Sequence, residues 1–454
     1  MSTQATNPAQ QHENYTDEEK LVIKKLFTRL IVFLFILFIF SFLDRVNIGF
    51  AALTMIDDKD IGLSPTSFGL AASLFYLTYV LCGVPSNVML SIAGARRWIA
   101  IIMVAWGIAS TATMFATGPS SLYVIRMIVG ICEAGFLPGI LLYLTYWFPS
   151  FFRARANALF MIAMPITMAF GSILSGYILL LDGYMGLKGW QWLFLLEGFP
   201  SIILGFFVWV YLVDSPEKAK WLTARDKEVL HTMMERDKLS IVQPMGSAQY
   251  TALQHESTWR GVLTTPVILY TLAYFCLCNS LSAINLWSPR IIQSLAPGSS
   301  NAYIGFLASI PQFATILAMI WWSRRSDRKQ ERRLHTILPF YVGVLGWAVV
   351  SLESMPWVQF TGIIVASSAA FTTMALFWTT PDQNISFKSR AVAIAVINAF
   401  GNIGSACSPL YIGWLYDLTG TYTYGVSLMA LLLVIGASIM LFIPMTRSRP
   451  RATP

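Results

Sequence analysis

The stretch LYVIRMIVGICEAGFLPGILLYLT, residues 122–145, is apolar enough to cross a lipid bilayer, yet it contains Arg126 and Glu133. These two residues are seven positions apart, so on a helix they share one face and lie roughly 10 Å apart along the axis. Another apolar stretch, near the N-terminus, places Asp44 and Arg45 side by side. Ionisable side chains at membrane depth are costly and usually face a polar cavity. The four residues therefore predict a polar path through a membrane.

The composition also indicates a polytopic membrane protein. Of the 454 residues, 56% are hydrophobic and 12% charged, whereas a soluble protein has about 25% charged residues. The five cysteines all fall inside apolar stretches and lack zinc-ligand spacing, so we expect neither a metal site nor a disulfide framework. Residues 1–20 are polar, do not fit a cleavable signal peptide and are interpreted as a disordered tail.

Hydropathy predicts twelve spans, each long enough for about 30 Å of hydrocarbon. The first six lie near 30–54, 67–90, 98–117, 122–145, 157–180 and 192–213. The last six lie near 264–287, 302–322, 336–353, 359–380, 391–415 and 425–445. Six plus six spans predict two similar halves. The predicted division is a tail 1–29, a half 30–213, a linker 214–260 with partial helix, a half 261–445 and a tail 446–454.

Lysine and arginine are concentrated in alternate loops. One set of loops, which includes both termini and the central linker, carries most of them, whereas the other set holds only Lys59, Lys188 and Arg290. The positive-inside rule then predicts that both termini are cytoplasmic. The net charge of +8 is thus explained by topology, and we expect no nucleic-acid partner.

Two basic loops occupy equivalent places in the two halves, SIAGARRW between spans 2 and 3 and SRRSDRKQERR between spans 8 and 9. Further motifs are LDRVNIGFA, RMIVGICEAGFLPG, WFP followed by RARA, and GWQWLFLLEG. Together they resemble the anion:cation symporter family of the major facilitator superfamily, which includes galactonate, hexuronate and tartrate carriers. Within that family, GARRWIA and RANALFMIAMP resemble the bacterial 4-hydroxyphenylacetate permeases.

The resemblance implies an all-α major facilitator fold with twelve transmembrane helices in two six-helix halves. It also implies that the two basic loops are gates, in which an acid caps a helix and pairs with an arginine in one state. The first loop has Ser91 where an acid is usual, which predicts a weaker gate in the first half. The gating residues are Arg96, Arg97, Asp327, Arg328 and Arg332.

Arg45 and Arg126 keep their charge at every relevant pH and need an anion in a low-dielectric cavity. One interpretation is that one or both bind a substrate carboxylate through forked hydrogen bonds. The alternative is a permanent bridge to Asp44 or Glu133 that joins two helices, although a buried ion pair is an expensive way to do so.

Asp44 and Glu133 are the only acids that the hydropathy pattern places deep in predicted spans. In similar carriers the matching acids take up the protons that drive import, which implies that Glu133 is coupled to substrate binding and Asp44 is a second proton site. Because Glu133 shares a face with Arg126, we expect its protonation to free Arg126. Glu197 is expected to make a structural contact near a span entrance, and Arg290 to snorkel at the membrane edge.

Neutral polar side chains complete the predicted site. The resemblance implies that Tyr79 in span 2 contacts the substrate, and that Trp378 and Thr379 lie where the family places polar contacts. Asn398 and Asn402 are one turn apart in span 11 and serve either the substrate or interhelical hydrogen bonds.

The sequence thus predicts a monomeric, multi-pass carrier of a bacterial inner membrane that imports a small organic anion with protons and uses no cofactor. Span 5 reads MIAMPITM where some sugar-acid carriers have a glutamine, which favours an aromatic acid such as 4-hydroxyphenylacetate. The alternative is a sugar acid or dicarboxylate of the galactonate or tartrate type. Enzyme, sensor and drug-export functions have less support, because catalytic motifs and a signalling domain are missing and paired arginines disfavour a cationic cargo.

Overall fold

The computed structural model describes residues 15–242, 264–329, 331–352, 355–381, 385 and 389–443. Within these residues twelve helical segments are long and apolar enough to cross a membrane. The predicted all-α architecture of twelve transmembrane helices is therefore confirmed. The predicted tails before residue 15 and after residue 443 lie outside the described residues.

The first half contains spans 1 to 6. Span 1 is continuous from Asp17 to Met55, with a π-helical turn at Phe27–Ile31 between helices Asp17–Leu26 and Val32–Met55. Span 4 consists of two consecutive helices, Pro119–Glu133 and Phe136–Trp147. Spans 2, 3, 5 and 6 are Pro65–Ala93, Ala95–Phe115, Ser150–Leu181 and Gly189–Tyr211.

The second half contains spans 7 to 12. These helices are Thr265–Leu295, Asn301–Lys329, Arg333–Ser351, Pro356–Phe377, Arg390–Thr419 and Thr423–Phe442. The linker between the halves contributes the helix Ala224–Val242, as predicted for a linker with partial helix. Most spans begin or end several residues beyond the hydropathy prediction.

The chain after residue 16 is helical, so the prediction of a disordered tail up to residue 20 is wrong for its last four positions. Thr16 caps the helix, with its side chain accepting from the Glu19 backbone while the Glu19 carboxylate accepts from the Thr16 backbone. Ion pairs then fix this helix to the linker helix: Lys25 with Asp226, Arg225 with Glu18 and Arg236 with Glu19.

The two halves contact each other through three helix pairs, span 1 with span 7, span 2 with span 11 and span 5 with span 8. A Cβ atom on Gly49 would lie 2.7 Å from the Asn285 carbonyl oxygen, and one on Gly305 would lie 2.4 Å from the Ser172 carbonyl oxygen. Glycine therefore lets the backbones touch. Gly49 lies near the end of span 1 and Gly305 near the start of span 8, on the side of the protein opposite residues 15 and 443. We call the contact surface between the two halves on this side the seam.

An ion pair also crosses the seam. Arg290 of span 7 donates from both terminal nitrogens to the two carboxylate oxygens of Asp57, each at 2.6 Å. Arg290 thus forms a forked ion pair between the halves, and the expectation of a snorkelling side chain is wrong. Further hydrogen bonds across the seam join Thr66 to Asp417, Ser73 to the Ala406 carbonyl and Gln293 to the Leu53 carbonyl.

Candidate functional site

The centre of the candidate site is an ion pair between spans 1 and 4. Arg45 donates from Nε and Nη2 to Glu133 Oε1, at 3.0 and 2.6 Å, and Ser41 donates to the same oxygen at 3.3 Å. Glu133 is buried, and its Oε2 has no hydrogen-bond partner among the described residues. The acid therefore pairs with Arg45, so the expectation that its protonation would free Arg126 is wrong in this state.

Arg126 has no such partner. Its side chain is 2% exposed, and no carboxylate oxygen of the described residues lies within 4.0 Å of its guanidinium nitrogens. Its Nε is buried without a hydrogen bond. A buried guanidinium group that lacks an anion is strongly destabilising, so this position can bind an anionic group from outside the chain.

Both guanidinium groups contact aromatic rings of span 2. The guanidinium carbon of Arg126 lies 4.7 Å from the Phe75 ring centroid, and that of Arg45 lies 5.7 Å from Phe75 and 4.7 Å from Tyr79. The structure thus brings Arg45, Arg126, Tyr79 and Glu133 together, and we call these residues with Phe75 the arginine cluster. Phe75 was missed, although its position one helical turn before Tyr79 could have indicated it.

Asp44 lies outside the arginine cluster, although it precedes Arg45 in the chain. Its carboxylate accepts hydrogen bonds from Trp106 and Ser110 of span 3, both at 3.1 Å, and from Ser201 of span 6 at 2.5 Å. No lysine or arginine nitrogen of the described residues lies within 4.0 Å of it. The sequence left open a permanent ion pair of an arginine with either Asp44 or Glu133. Among the described residues, the structure contains no such pair with Asp44.

Glu197 is a third buried acid in the first half. It lies in the interior of the helix Gly189–Tyr211, is 1% exposed and accepts a hydrogen bond from Ser175 of span 5 at 2.7 Å. The predicted structural contact is present, and it joins spans 5 and 6. However, the placement at a span entrance is wrong, and so is the inference that Asp44 and Glu133 are the only deep acids.

The predicted residues of the second half form their own contacts. Trp378 follows span 10, donates from Nε1 to the Tyr274 hydroxyl at 3.3 Å and packs edge-on against that ring. Thr379 is exposed and donates to a backbone carbonyl of its own turn. Asn402 donates to the Asn398 carbonyl at 2.9 Å. Within the described residues, no hydrogen bond joins these side chains to the arginine cluster.

Comparison with known proteins gives the family. The sequence profile of the Major Facilitator Superfamily matches residues 34–409. The chain belongs to the Major Facilitator Superfamily. It is 38% identical to a protein of Agrobacterium vitis with the provisional name of tartrate transporter, over 96% of this chain and 94% of that protein. It is 33% identical to a quinolone resistance transporter of Acinetobacter baumannii, over 92% of this chain and 94% of that one.

A solved structure of the superfamily has the same fold. The inward open xylose transporter XylE from E. coli superposes with a TM-score of 0.71 at 13% sequence identity. The alignment covers 92% of this chain and 97% of that transporter. The two six-helix halves are thus those of a major facilitator fold.

The first predicted gating loop of this superfamily member is anchored by a distant acid. The Arg96 backbone N–H donates to Asp214 Oδ1 at 3.0 Å, and the Arg96 side chain donates to the Trp209 carbonyl at 2.6 Å. Ser91 is exposed. Asp214, which follows span 6, therefore supplies the helix cap that the sequence lacks at Ser91. Arg97 is exposed.

The second predicted gating loop contains a local ion pair. Arg332 pairs with Asp327 and also donates to Ser326 at 3.0 Å, while Arg328 is exposed. Within the described residues, the hydrogen bonds that join the two halves all lie at the seam. The structure is thus closed on the side away from the described chain ends, and neither loop contributes to that closure.

Proposed function

We propose that the protein is a secondary active transporter that imports a small organic carboxylate together with protons. The observation that carries the proposal is Arg126, a buried guanidinium group without an anionic partner among the described residues. A carboxylate can satisfy it with two parallel hydrogen bonds, because the guanidinium fork matches the carboxylate geometry. We further propose a bacterial inner-membrane location with both termini cytoplasmic, on the distribution of lysine and arginine.

The proposed proton coupling uses the Arg45–Glu133 pair. Protonation of Glu133 removes the negative charge that holds Arg45 and weakens both of their hydrogen bonds. Arg45 then becomes available to the substrate beside Arg126. When the proton leaves on the other side of the membrane, Glu133 recovers Arg45 and helps to displace the substrate. Asp44 is the second proposed proton site, and rocking of the halves at the seam exposes the site to alternate sides.

Two substrate classes fit this site, and the first is a dicarboxylate of the tartrate type. Its two carboxylates match two arginines, Arg45 and Arg126, once Glu133 is protonated. The 38% identity to a provisionally named tartrate transporter over nearly the whole chain supports the same class. We therefore place the dicarboxylate before the aromatic acid, although the sequence of span 5 favours the aromatic acid.

The second class is an aromatic monocarboxylate such as 4-hydroxyphenylacetate. Phe75 and Tyr79 line the arginine cluster, and Tyr274 with Trp378 provides an aromatic pair in the other half. Such rings can pack against a substrate ring. Asn398 or Asn402 and Thr379 remain proposed polar contacts for the far end of the substrate.

Uptake into proteoliposomes decides among these proposals. Labelled tartrate is offered under an inward proton gradient, with galactonate and 4-hydroxyphenylacetate as competitors, and labelled 4-hydroxyphenylacetate is offered in parallel. We expect concentrative uptake of tartrate that collapses when a protonophore is added. Uptake of 4-hydroxyphenylacetate alone would select the aromatic class. Proton-driven efflux, as expected of an exporter, or failure of every carboxylate to move would contradict the proposed function.

A further inference from the structure

Asp44 and Glu197 lie in one buried polar region between spans 1 and 6. On span 6, Glu197 is one helical turn from Ser201, which donates to Asp44. Because Glu197 and Ser201 lie on the same face of span 6, the hydrogen bond from Ser201 makes the two acids neighbours. Both side chains are 1% exposed.

The two acids differ in the number of hydrogen bonds that they accept from the protein. Asp44 accepts three hydrogen bonds, which is enough to stabilise a negative charge. Glu197 accepts one, from Ser175, and its Oε2 is buried without a partner. A carboxylic acid has an O–H to donate, so a protonated Glu197 needs an acceptor at Oε2.

Asn47 can provide that acceptor. It is fully buried, and neither its amide oxygen nor its amide nitrogen has a hydrogen-bond partner among the described residues. It lies one turn after Asp44 on span 1, whereas Glu197 lies one turn before Ser201 on span 6. Because the two helices run in opposite directions and Ser201 is bonded to Asp44, Asn47 falls at the level of Glu197. An unpaired buried amide is destabilising, so its presence beside an unpaired carboxyl oxygen indicates a functional role.

We propose that Asp44, Asn47 and Glu197 form one proton-binding unit, in which Glu197 holds a proton while Asp44 is charged. Two neighbouring buried carboxylates that have no lysine or arginine nitrogen of the described residues within 4.0 Å cannot both ionise at low free energy, so they titrate as a pair. The proposal rests on the proposed proton coupling and adds Glu197 to it as a positioning and proton-holding residue.

Among the described residues, the other charged groups near this unit come from spans 4 and 1. Glu133 and Arg126 interact electrostatically with Asp44, and Arg45 is its chain neighbour. The side chains that spans 3 and 5 contribute are neutral, namely Trp106, Ser110 and Ser175. Protonation of Glu133 therefore alters the field at Asp44, which links the unit to the arginine cluster.

The test compares Glu197→Gln with Glu197→Asp in proteoliposomes, with Glu228→Gln on the exposed linker helix as the matched control. Substrate counterflow without a proton gradient, the pH profile of accumulation and proton uptake by an internal pH dye are measured. We expect Glu197→Gln to keep counterflow, but to shift the pH profile by about one pH unit or more. Glu197→Asp should return the profile toward that of the wild type.

The outcomes separate this proposal from the proposed function. If the wild type shows no proton uptake with substrate, the proposed function fails and this inference with it. If the wild type takes up protons and the Glu197→Gln profile superimposes on it, only the role of Glu197 is overturned. Should Glu197→Gln not fold, Glu197→Asp and Asp44→Asn carry the test, and an additive effect of the two in the double variant would refute a shared unit.

Discussion

Asp44 and Arg45 are consecutive residues whose side chains belong to two different polar networks. Asp44 accepts hydrogen bonds from spans 3 and 6, whereas Arg45 donates to Glu133 of span 4. Span 1 therefore carries an acid and a base that do not neutralise each other. One helix connects the arginine cluster to the buried acids, so a charge change at one network can act on the other.

Arg126→Ala is expected to abolish substrate binding without unfolding the protein. Loss of one partner from a buried charged contact typically weakens binding by about 2–5 kcal/mol, or roughly 30-fold or more. Arg126→Lys should restore only part of it, because lysine cannot make the forked contact. Ligand-induced thermal stabilisation of the purified variants measures this. Arg324→Ala, at an exposed position at the end of span 8, is the control, and near-normal binding by Arg126→Ala would refute the site.

Glu133→Gln is expected to uncouple transport. The amide mimics the protonated acid and releases Arg45, so the variant should exchange substrate across the membrane yet fail to concentrate it under a proton gradient. Counterflow and gradient-driven accumulation in the same proteoliposomes distinguish the two activities. Wild-type accumulation by this variant would show that Glu133 is not the coupling group.

Asp57→Ala is expected to favour opening of the seam, because it removes the carboxylate that pairs with Arg290. The pair is partly exposed, with Asp57 62% and Arg290 15% accessible, so its contribution should be about 0.2–1 kcal/mol and the population change a few-fold at most. A cysteine introduced at Ser288, which is buried beneath the seam, should react faster with an impermeant maleimide. The exchange Asp57→Arg with Arg290→Asp should return the rate to its original value, and an unchanged rate in Asp57→Ala would contradict the assignment.

Gly305→Ala is expected to prevent full closure of the seam. The added Cβ would lie 2.4 Å from the Ser172 carbonyl oxygen and 2.9 Å from the Gly176 Cα, and neither backbone atom can move aside alone. Overpacking of this kind typically costs about 1–3 kcal/mol. The transport rate of Gly305→Ala should fall at least several-fold. Gly83→Ala is the matched control, because its Cβ would meet only the Ala134 carbonyl oxygen at 3.8 Å, and equal rates in the two variants would refute the prediction.

The sequence predicted the fold well because hydropathy over twenty residues is a strong signal. It located all twelve spans and the arginine and acid residues that share one region. It missed the helix Asp17–Leu26, because this segment is rich in charged residues and contains no long apolar run. Ion pairs hold the helix to a linker that is distant in sequence.

The sequence alone could not predict which arginine pairs with which acid. Periodicity places Arg126 and Glu133 on one face, but seven residues separate them by roughly 10 Å, which is too far for a hydrogen bond. The partner of Glu133 is Arg45 because spans 1 and 4 pack together there, and helix crossings are set by the whole fold. The same reason explains why Asp214, rather than a residue near Ser91, caps span 3.

The glycines of the seam have a consequence for turnover. When the halves separate on this side, water replaces the opposing helix, and each leucine-sized side chain exposed there would require about 1.5–3 kcal/mol. Gly49 and Gly305 expose no side-chain carbon, so hydration of their surfaces requires little free energy. Since each 1.4 kcal/mol of a barrier slows a step about tenfold, every leucine-sized side chain that glycine replaces in the seam spares the opening step a slowing of about tenfold or more.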